Sequence, residues 1–207
     1  MSYIVYFAPG ACSRVVLTAL EQVGITYQAK PVLLANKEQF LPAFQAINPK
    51  GKVPCLVTQD GVLTEVIAIC QYLHQCFPEA GLLPSSGYIQ AQALAFLSWC
   101  ASTLHPCIYR LRMTGRIHPD ASTHGAIQQA AKEELSQQLN VAEQHLNDGR
   151  TWLLGDHWSI ADSYLLWVWQ RALQSGLSET NWPLLHRWAT LSQAHLAWQN
   201  ALAKEST

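Results

Sequence analysis

Apolar positions in the first 78 residues form short runs that alternate with helically spaced sets. A β-forming run at 3–7 ends at Pro9-Gly10, and apolar residues then recur at helical spacing until Gly24, which predicts a strand and a helix. The same pattern predicts the next elements: a strand at 25–34, a short helix at 37–47, a strand at 53–58, an Asp60-Gly61 hairpin turn into a strand at 62–63, and a helix from Val66 that Pro78 closes. The predicted order is β-α-β-α-β-β-α.

The rest of the chain differs, because its apolar residues keep helical spacing throughout. Residues 79–87 hold glycine, proline and serine without periodicity, and we predict a linker there. Three helices are predicted beyond it, on these positions: Leu94, Leu97, Ala101 and Leu104 in the first; Ile127, Ala131, Leu135, Leu139, Ala142 and Leu146 in the second; Leu184, Trp188, Leu191 and Trp198 in the last. The pattern therefore predicts an α/β domain at 1–78 and an all-helical domain at 88–207.

The amino-acid composition and net charge limit the kinds of molecule that the protein is expected to bind. Hydrophobic residues make up 49% of the 207 positions and charged residues 13%, which favours a compact protein with an apolar surface that forms oligomers. The net charge of −1, without a basic cluster, gives no long-range attraction for nucleic acid or anionic lipid. No run approaches the roughly 18 apolar residues of a membrane span, and the first residues lack a signal-peptide pattern, so we expect a cytoplasmic protein.

Six cysteines show neither a CxxC pair nor the spacing of a metal site, so we expect reduced, mostly buried thiols and no metal. Only Cys12 has an unusual context, since Ala11-Cys12-Ser13 follows the Pro-Gly turn and opens a helix. Free amide hydrogens and the helix dipole favour an anion there, and a thiolate of the protein or of a ligand would be stabilised. In the alternative interpretation, Ser13 only caps the helix and Cys12 fills a small buried space.

A second motif, Asn48-Pro49-Lys50-Gly51-Lys52-Val53-Pro54, precedes the third predicted strand. A cis bond before Pro54 would turn the Val53 backbone outward, so that an extended peptide could pair with it; an ordinary turn is also consistent. Thr64-Glu65 then opens a helix, either as a simple cap or as a site where Glu65 pairs with a ligand ammonium and the next amides hold its carboxylate. Together the two motifs indicate a thioredoxin-like domain with a site for a small thiol peptide.

On these motifs the chain resembles the glutathione S-transferases, and in particular their bacterial beta class. The similarity spans nearly the whole length, and Ser159-Ile160-Ala161-Asp162 is similar to a capping box that the family carries in its second half. The resemblance implies the glutathione transferase fold, an α/β thioredoxin-like domain with a mixed four-stranded sheet followed by an all-α domain. It also implies a homodimer with a cleft between subunits.

The resemblance further implies roles for individual residues. Cys12 would face the glutathione sulfur, with Ser13 beside it and His105 next to the same sulfur; Pro106 should kink the helix there, which supports a site. The implied glutathione contacts are Lys37, Lys52, Val53, Pro54, Glu65 and Val66, with Ser98 and Thr103 placed to reach the glutathione of a partner subunit. An apolar pocket between the domains would bind the electrophile, and its expected lining is Arg14, Tyr109 and Arg110.

Position 66 departs from the family pattern. A small or hydroxyl residue is usual there, so Val66 removes one side-chain hydrogen bond to the γ-glutamyl carboxylate while the backbone amide remains. A hydrogen bond to a charged group is worth about 1.5 to 3 kcal/mol, so we expect glutathione binding to be weaker by about an order of magnitude.

The implied reaction is attack of the glutathione thiolate on a small hydrophobic electrophile, a detoxification chemistry with glutathione as co-substrate and no metal. Cys12 is also placed to form a mixed disulfide with glutathione, which would allow thiol–disulfide exchange. Two alternatives stay open: a monothiol disulfide reductase in which Cys12 attacks the substrate itself, and a glutathione-transferase-like binding or regulatory protein without catalysis. The fold alone does not choose among them.

Overall fold

The computed structural model describes residues 3–206, which fall into two compact units. Of the described residues, one unit comprises 3–90 together with 193–206, and the other comprises Ala91–Ser192. The elements of the first 80 residues are β1 Tyr3–Phe7, α1 Ser13–Val23, β2 Tyr27–Pro31, α2 Pro42–Gln45, β3 Cys55–Thr58, β4 Gly61–Thr64 and α3 Val66–Cys76. The later helices are α4 Gly87–Trp99, α5 His105–Arg112, α6 Thr114–Ile117, α7 His124–His145, α8 Ile160–Gln174, α9 Pro183–Gln193 and α10 Leu196–Glu205.

The sheet of the first unit is mixed, with the strand order β2-β1-β3-β4. Strand β1 pairs in parallel with β2 and antiparallel with β3, and β3 and β4 form the predicted hairpin across Asp60-Gly61. Alternate residues of β1 are buried, as expected for a strand with one face in a core, and α1 packs against both β1 and α3. The predicted mixed four-stranded sheet is confirmed.

The helix predicted at 37–47 is interrupted. The structure has a 3₁₀ helix at Glu38–Phe40 and only one α-helical turn, α2, from Pro42 onward. Residue Leu41, before the proline, has an extended backbone with ψ 143°, because the proline ring disfavours the helical conformation in the residue that precedes it. The strand predicted at 25–34 is likewise shorter, since a 3₁₀ helix forms at Leu34–Asn36.

The second unit is all-helical, as predicted, and its core includes one face of α7 and most of α8. The capping box at the start of α8 is present: the Ser159 hydroxyl and the Asp162 carboxylate cap each other's backbone amides. Asp162 is fully buried and also accepts hydrogen bonds from the Leu153 amide and the Trp188 indole. This carboxylate therefore joins three segments of the helical unit.

The last predicted helix is two helices. The chain breaks between α9 and α10, where His195 has an extended backbone with ψ 127°. Helix α10 packs on α1, so the segment from Gln193 belongs with the thioredoxin-like unit and not with the predicted helical domain at 88–207. The predicted linker is also partly structured, with a 3₁₀ helix at Pro78–Ala80.

Candidate functional site

The turn between β1 and α1 is fixed by Ser13. Its hydroxyl accepts a hydrogen bond from the Ala8 amide at 3.0 Å and donates one to the Ala8 carbonyl at 3.2 Å. Gly10 has φ +72°, a left-handed conformation that a glycine adopts without strain. Because the Ser13 side chain is fully buried and its hydroxyl is hydrogen-bonded to Ala8, the structure gives it a role in shaping the turn, and its catalytic role stays a prediction.

Cys12 lies at the N-cap of α1 with its thiol buried. Its Sγ is 3.9 Å from the carbonyl oxygen of Val53, toward which the thiol donates a weak hydrogen bond. Burial raises the pKa of the Cys12 thiol to about 12; the Glu65 carboxylate adds to this rise and Lys52 opposes it. In this structure the Cys12 side chain is therefore protonated at neutral pH, and thiol exchange through Cys12 stays a prediction.

The loop that precedes β3 contains the cis peptide bond between Val53 and Pro54, as considered from the sequence. Asn48, which is 2% exposed, holds this loop: its amide nitrogen donates to the Lys52 carbonyl at 2.6 Å and its Oδ1 accepts from the Lys50 amide at 3.2 Å. The buried Asn48 side chain thus fixes the backbone of this loop from the interior of the unit.

Glu65 begins α3 from an unusual backbone conformation, with φ +71°. Positive φ is rare for residues other than glycine and is found preferentially at functional sites. The Glu65 side chain makes no capping bond to α3, and its Oε1 instead accepts a hydrogen bond from the Lys50 ammonium at 2.5 Å. Val66 follows with its side chain buried, so the first turn of α3 presents backbone amides without a hydroxyl group.

Two residues of this region were not found from the sequence. Lys50 reaches Thr64 and Glu65 because the hairpin pairs Cys55 with Thr64, and only the folded sheet shows this proximity. Gln39 is 2% exposed, and within residues 3–206 its side-chain amide has no hydrogen-bond partner. Its backbone carbonyl lies against Gly51, where an added Cβ would be 3.2 Å away. A buried unsatisfied amide beside this loop marks Gln39 as a candidate ligand contact.

His105 lies in the helical unit, directly after a π-helical turn at Cys100–Leu104. Pro106 cannot donate a backbone hydrogen bond, and the helix is locally widened before it, as π turns often are at functional positions. The His105 Nδ1 is 3.0 Å from the Tyr164 hydroxyl, and its ring packs edge-on against Trp167 with centroids 4.5 Å apart. These contacts fix the plane of the imidazole.

Two of the three residues expected to line the electrophile pocket, Arg14 and Arg110, are engaged elsewhere. Arg14 is buried, contacts Glu205 of α10 at 2.5 Å and stacks over the Trp198 ring, so it does not present its guanidinium to a ligand. Arg110 pairs with Glu134 of α7 at 2.5 Å and donates to the Cys107 sulfur. Tyr109 is exposed on α5.

Four other predicted glutathione contacts are at least partly exposed, whereas Pro54 is buried. Lys37, with φ 58°, and Lys52 are exposed in the first unit; in the helical unit Ser98 is exposed and Thr103 half-buried. The helical unit also holds a cavity of about 560 Å³ whose lining includes Leu111, Arg112 and Lys132 but neither Tyr109 nor Arg110.

Comparisons with known proteins identify the family to which the chain belongs. Residues 1–75 match the sequence model of the glutathione S-transferase N-terminal domain, and residues 104–191 match that of the glutathione S-transferase C-terminal domain. The chain belongs to the glutathione S-transferase family. A maleylacetoacetate isomerase of Pseudomonas aeruginosa is 29% identical over 204 residues, 97% of this chain and 95% of that protein.

Solved glutathione S-transferase structures share the fold over the whole chain. A glutathione transferase homolog from Sulfitobacter, determined with bound glutathione, superposes with a TM-score of 0.90 at 28% identity and 98% coverage of both chains. A bacterial beta class glutathione S-transferase from Sphingomonas chungbukensis gives a TM-score of 0.84 at 26% identity and 98% coverage of both chains. The predicted glutathione transferase fold is confirmed. The beta class is not, because the sequence identity to the beta class enzyme is about the same as the identity to the isomerase.

In this family member, the thioredoxin-like unit brings the residues of the two sequence motifs together. The charges of Glu65 and Lys52 both act on the Cys12 thiol, and that thiol also contacts the Val53 carbonyl. The start of α1, the cis-proline loop and the start of α3 therefore surround one region of the unit. Among residues 3–206, no helix is both long and apolar enough to cross a membrane.

Proposed function

We propose that this protein is a glutathione transferase that adds the thiolate of reduced glutathione to a small hydrophobic electrophile. The observation that carries the proposal is the convergence of Cys12, the Val53 backbone and Glu65 at one end of strands β1, β3 and β4. The Sulfitobacter homolog with bound glutathione supports the choice of ligand.

In the proposed complex the cysteinyl backbone of glutathione pairs with Val53 as an added strand. Lys52 and Lys37 attract the glycyl carboxylate, and the buried amide of Gln39 is a further partner for this end. Glu65 pairs with the γ-glutamyl ammonium, while the first amides of α3, from Val66 onward, hold the adjacent carboxylate.

The sulfur of glutathione would lie at the start of α1. A free thiol with a pKa near 8.5 is only a few per cent ionised at neutral pH, and a decrease of about two units, worth roughly 2.7 kcal/mol, ionises most of it. The amides of α1 and a hydrogen bond donated by the Cys12 thiol favour this thiolate, and the family resemblance adds His105. Burial keeps the pKa of the Cys12 thiol at about 12, and a protonated thiol can donate this hydrogen bond. Thiol exchange and the monothiol reductase reaction would both require Cys12 as a thiolate, so this structure favours the donor role.

A second candidate reaction is glutathione-dependent isomerisation. The Pseudomonas relative that spans 97% of this chain is a maleylacetoacetate isomerase. Reversible addition of the same thiolate to a carbon–carbon double bond would let that bond rotate and then release glutathione unchanged. Both reactions use one glutathione site, and they differ in whether glutathione is consumed.

Three measurements separate these functions. Calorimetry tests glutathione binding; turnover of an activated aryl chloride with loss of free thiol tests conjugation; and turnover of maleylacetoacetate without loss of thiol tests isomerisation. Glu65→Gln should weaken binding, whereas Glu79→Gln, an exposed control in the same unit, should not. Binding without either turnover would favour the non-catalytic alternative, and no binding by the native protein would refute the proposal.

We also propose that the protein is a homodimer, in keeping with its apolar composition. Light scattering of the purified protein at micromolar concentration tests this, and a monomeric mass would contradict it.

A further inference from the structure

Lys50 is placed at the start of α3 although it precedes that helix by sixteen residues. Its ammonium donates to the Thr64 hydroxyl at 2.8 Å and to Glu65 Oε1 at 2.5 Å. Its backbone is held by the buried Asn48, and Gly51, with φ +62°, closes the turn by donating to the Asn48 carbonyl at 3.0 Å. The fold therefore fixes the base of Lys50 and directs its side chain along the hairpin.

This ion pair contributes little to stability. The side chains of Lys50 and Glu65 are 51% and 68% exposed, and pairs so exposed are screened by water and salt. Glu65 nevertheless keeps an unfavourable positive φ beside it, which is the kind of feature that function retains. Because stability does not account for this ion pair, we consider a role for it in ligand binding.

We propose that Lys50 binds the α-carboxylate of the γ-glutamyl residue of glutathione and replaces the side-chain contact that Val66 cannot make. This inference rests on the proposed function. The γ-glutamyl head is a zwitterion, with its ammonium and carboxylate on one carbon, and a neighbouring lysine and glutamate are its charge complement. Glu65 takes the ammonium, and Lys50 with the first amides of α3 takes the carboxylate.

The chemistry of lysine allows this without loss of its present contacts. An ammonium group has three donors, and Thr64 and Glu65 use two of them. The third is available for a carboxylate that lies at the first turn of α3, where the helix dipole also favours negative charge. Val66 has no donor in its side chain, so at this end the charge of Lys50 substitutes for a hydroxyl group.

The test compares two lysines with two ligands. Lys50→Met and Lys52→Met are titrated by calorimetry with glutathione and with γ-glutamylcysteine, which lacks the glycyl residue. Lys50→Met should lose about fivefold in affinity for both ligands, because both carry the γ-glutamyl carboxylate. Lys52→Met is the matched control and should lose affinity for glutathione only.

Three results would overturn the assignment of Lys50: unchanged affinity of Lys50→Met for both ligands, loss confined to glutathione, or tighter binding, which would mean that Lys50 merely blocks Glu65. Each of these requires that the native protein binds glutathione. Failure of the native protein to bind either ligand would instead refute the proposed function, so the two failures are distinguishable.

Discussion

Cys12 occupies the position of a reactive thiol but has the surroundings of a buried one. We predict that iodoacetamide at pH 7.5 modifies the exposed Cys76 first and leaves Cys12 unmodified in the native protein, because a pKa of about 12 leaves almost no thiolate. Peptide mass spectrometry after brief alkylation checks this. Rapid modification of Cys12, or a glutathionyl adduct on it after exposure to oxidised glutathione, would restore thiol exchange as the activity.

Val66 is the position where the family pattern and this chain disagree. Val66→Thr adds a hydroxyl at nearly constant shape, and we predict that it tightens glutathione binding by up to about tenfold through a hydrogen bond to the γ-glutamyl carboxylate. It should also lower the free energy of unfolding by about 1 kcal/mol, since Val66 is 6% exposed and the hydroxyl is partly desolvated. Calorimetry and urea denaturation measure the two effects. The exposed Val62→Thr is the control, and equal affinities for all three proteins would contradict this account.

His105 is held by Tyr164, and its proposed role is in turnover. We predict that His105→Ala lowers kcat more than it weakens glutathione binding, and that Tyr164→Phe lowers kcat by up to about tenfold because the imidazole loses its orienting hydrogen bond. Steady-state kinetics with either candidate substrate, together with binding titrations, separate the two quantities. His118→Ala, on an exposed histidine, should change neither. Equal losses in kcat and in affinity would mean that His105 acts in binding only.

The sequence motifs predicted local backbone features but not the surroundings of each side chain. The Pro9-Gly10 turn follows from local sequence, because the sterics of proline and glycine decide it. The local sequence allowed both a cis bond at Pro54 and an ordinary turn, and it did not indicate the positive φ of Glu65, whose side chain makes no capping bond to α3. The burial of Arg14 could not be predicted, since its partner Glu205 lies 191 positions away. A short sequence motif does not predict the surroundings of a side chain when they depend on residues this far away in the sequence.

Helix α10 stabilises the turn that carries Cys12. The Glu205 carboxylate accepts hydrogen bonds from both the Arg14 guanidinium at 2.5 Å and the Gly10 amide at 3.0 Å, and both charged side chains are less than a tenth exposed. We predict that Glu205→Gln costs about 3–5 kcal/mol of unfolding free energy, because it removes the carboxylate charge that pairs with the buried Arg14 guanidinium. Urea denaturation measures this.

The neighbouring Lys204 provides the control for Glu205. Its ammonium lies over the Tyr27 ring at 5.8 Å, and Lys204→Met removes this contact of α10 without touching the turn, at a cost below about 1 kcal/mol. Equal costs for the two substitutions would show that α10 acts only by general packing.

Hydrophobic periodicity predicted the bounds of those helices whose ends are marked by a glycine or by a capping residue. Gly24 ends α1 in the left-handed conformation, and the Ser159–Asp162 capping box begins α8. The break before α10 has no proline or glycine, only Ala194 and His195, so the pattern continued across it. Helix α10 is separate from α9 because it packs on α1. The spacing of apolar residues within a helix does not show which neighbouring element the helix packs against.

The chain as a whole buries most of its cysteines, and this gives its stability a specific pH dependence. Burial raises the pKa of Cys12 and Cys70 to about 12 and that of Cys55 to about 11. The unfolded chain releases these protons near pH 9, whereas the folded chain keeps them. The free energy of unfolding is therefore unaffected below about pH 8 and falls as the pH rises from 9 toward 11, by about 1.4 kcal/mol per pH unit for each such thiol.

Substitution of single cysteines isolates this effect from the other groups that titrate at alkaline pH. We predict that the loss of unfolding free energy between pH 9 and pH 10.5 is smaller in Cys70→Ala than in the native protein, by about 1.4 kcal/mol per pH unit, because one buried thiol no longer contributes. Cys76→Ala, which removes an exposed thiol, should keep the native slope. Urea denaturation across this range measures all three proteins. Parallel slopes for Cys70→Ala and the native protein would mean that Cys70 ionises in the folded state as readily as in the unfolded chain, and thus that the core around it admits water.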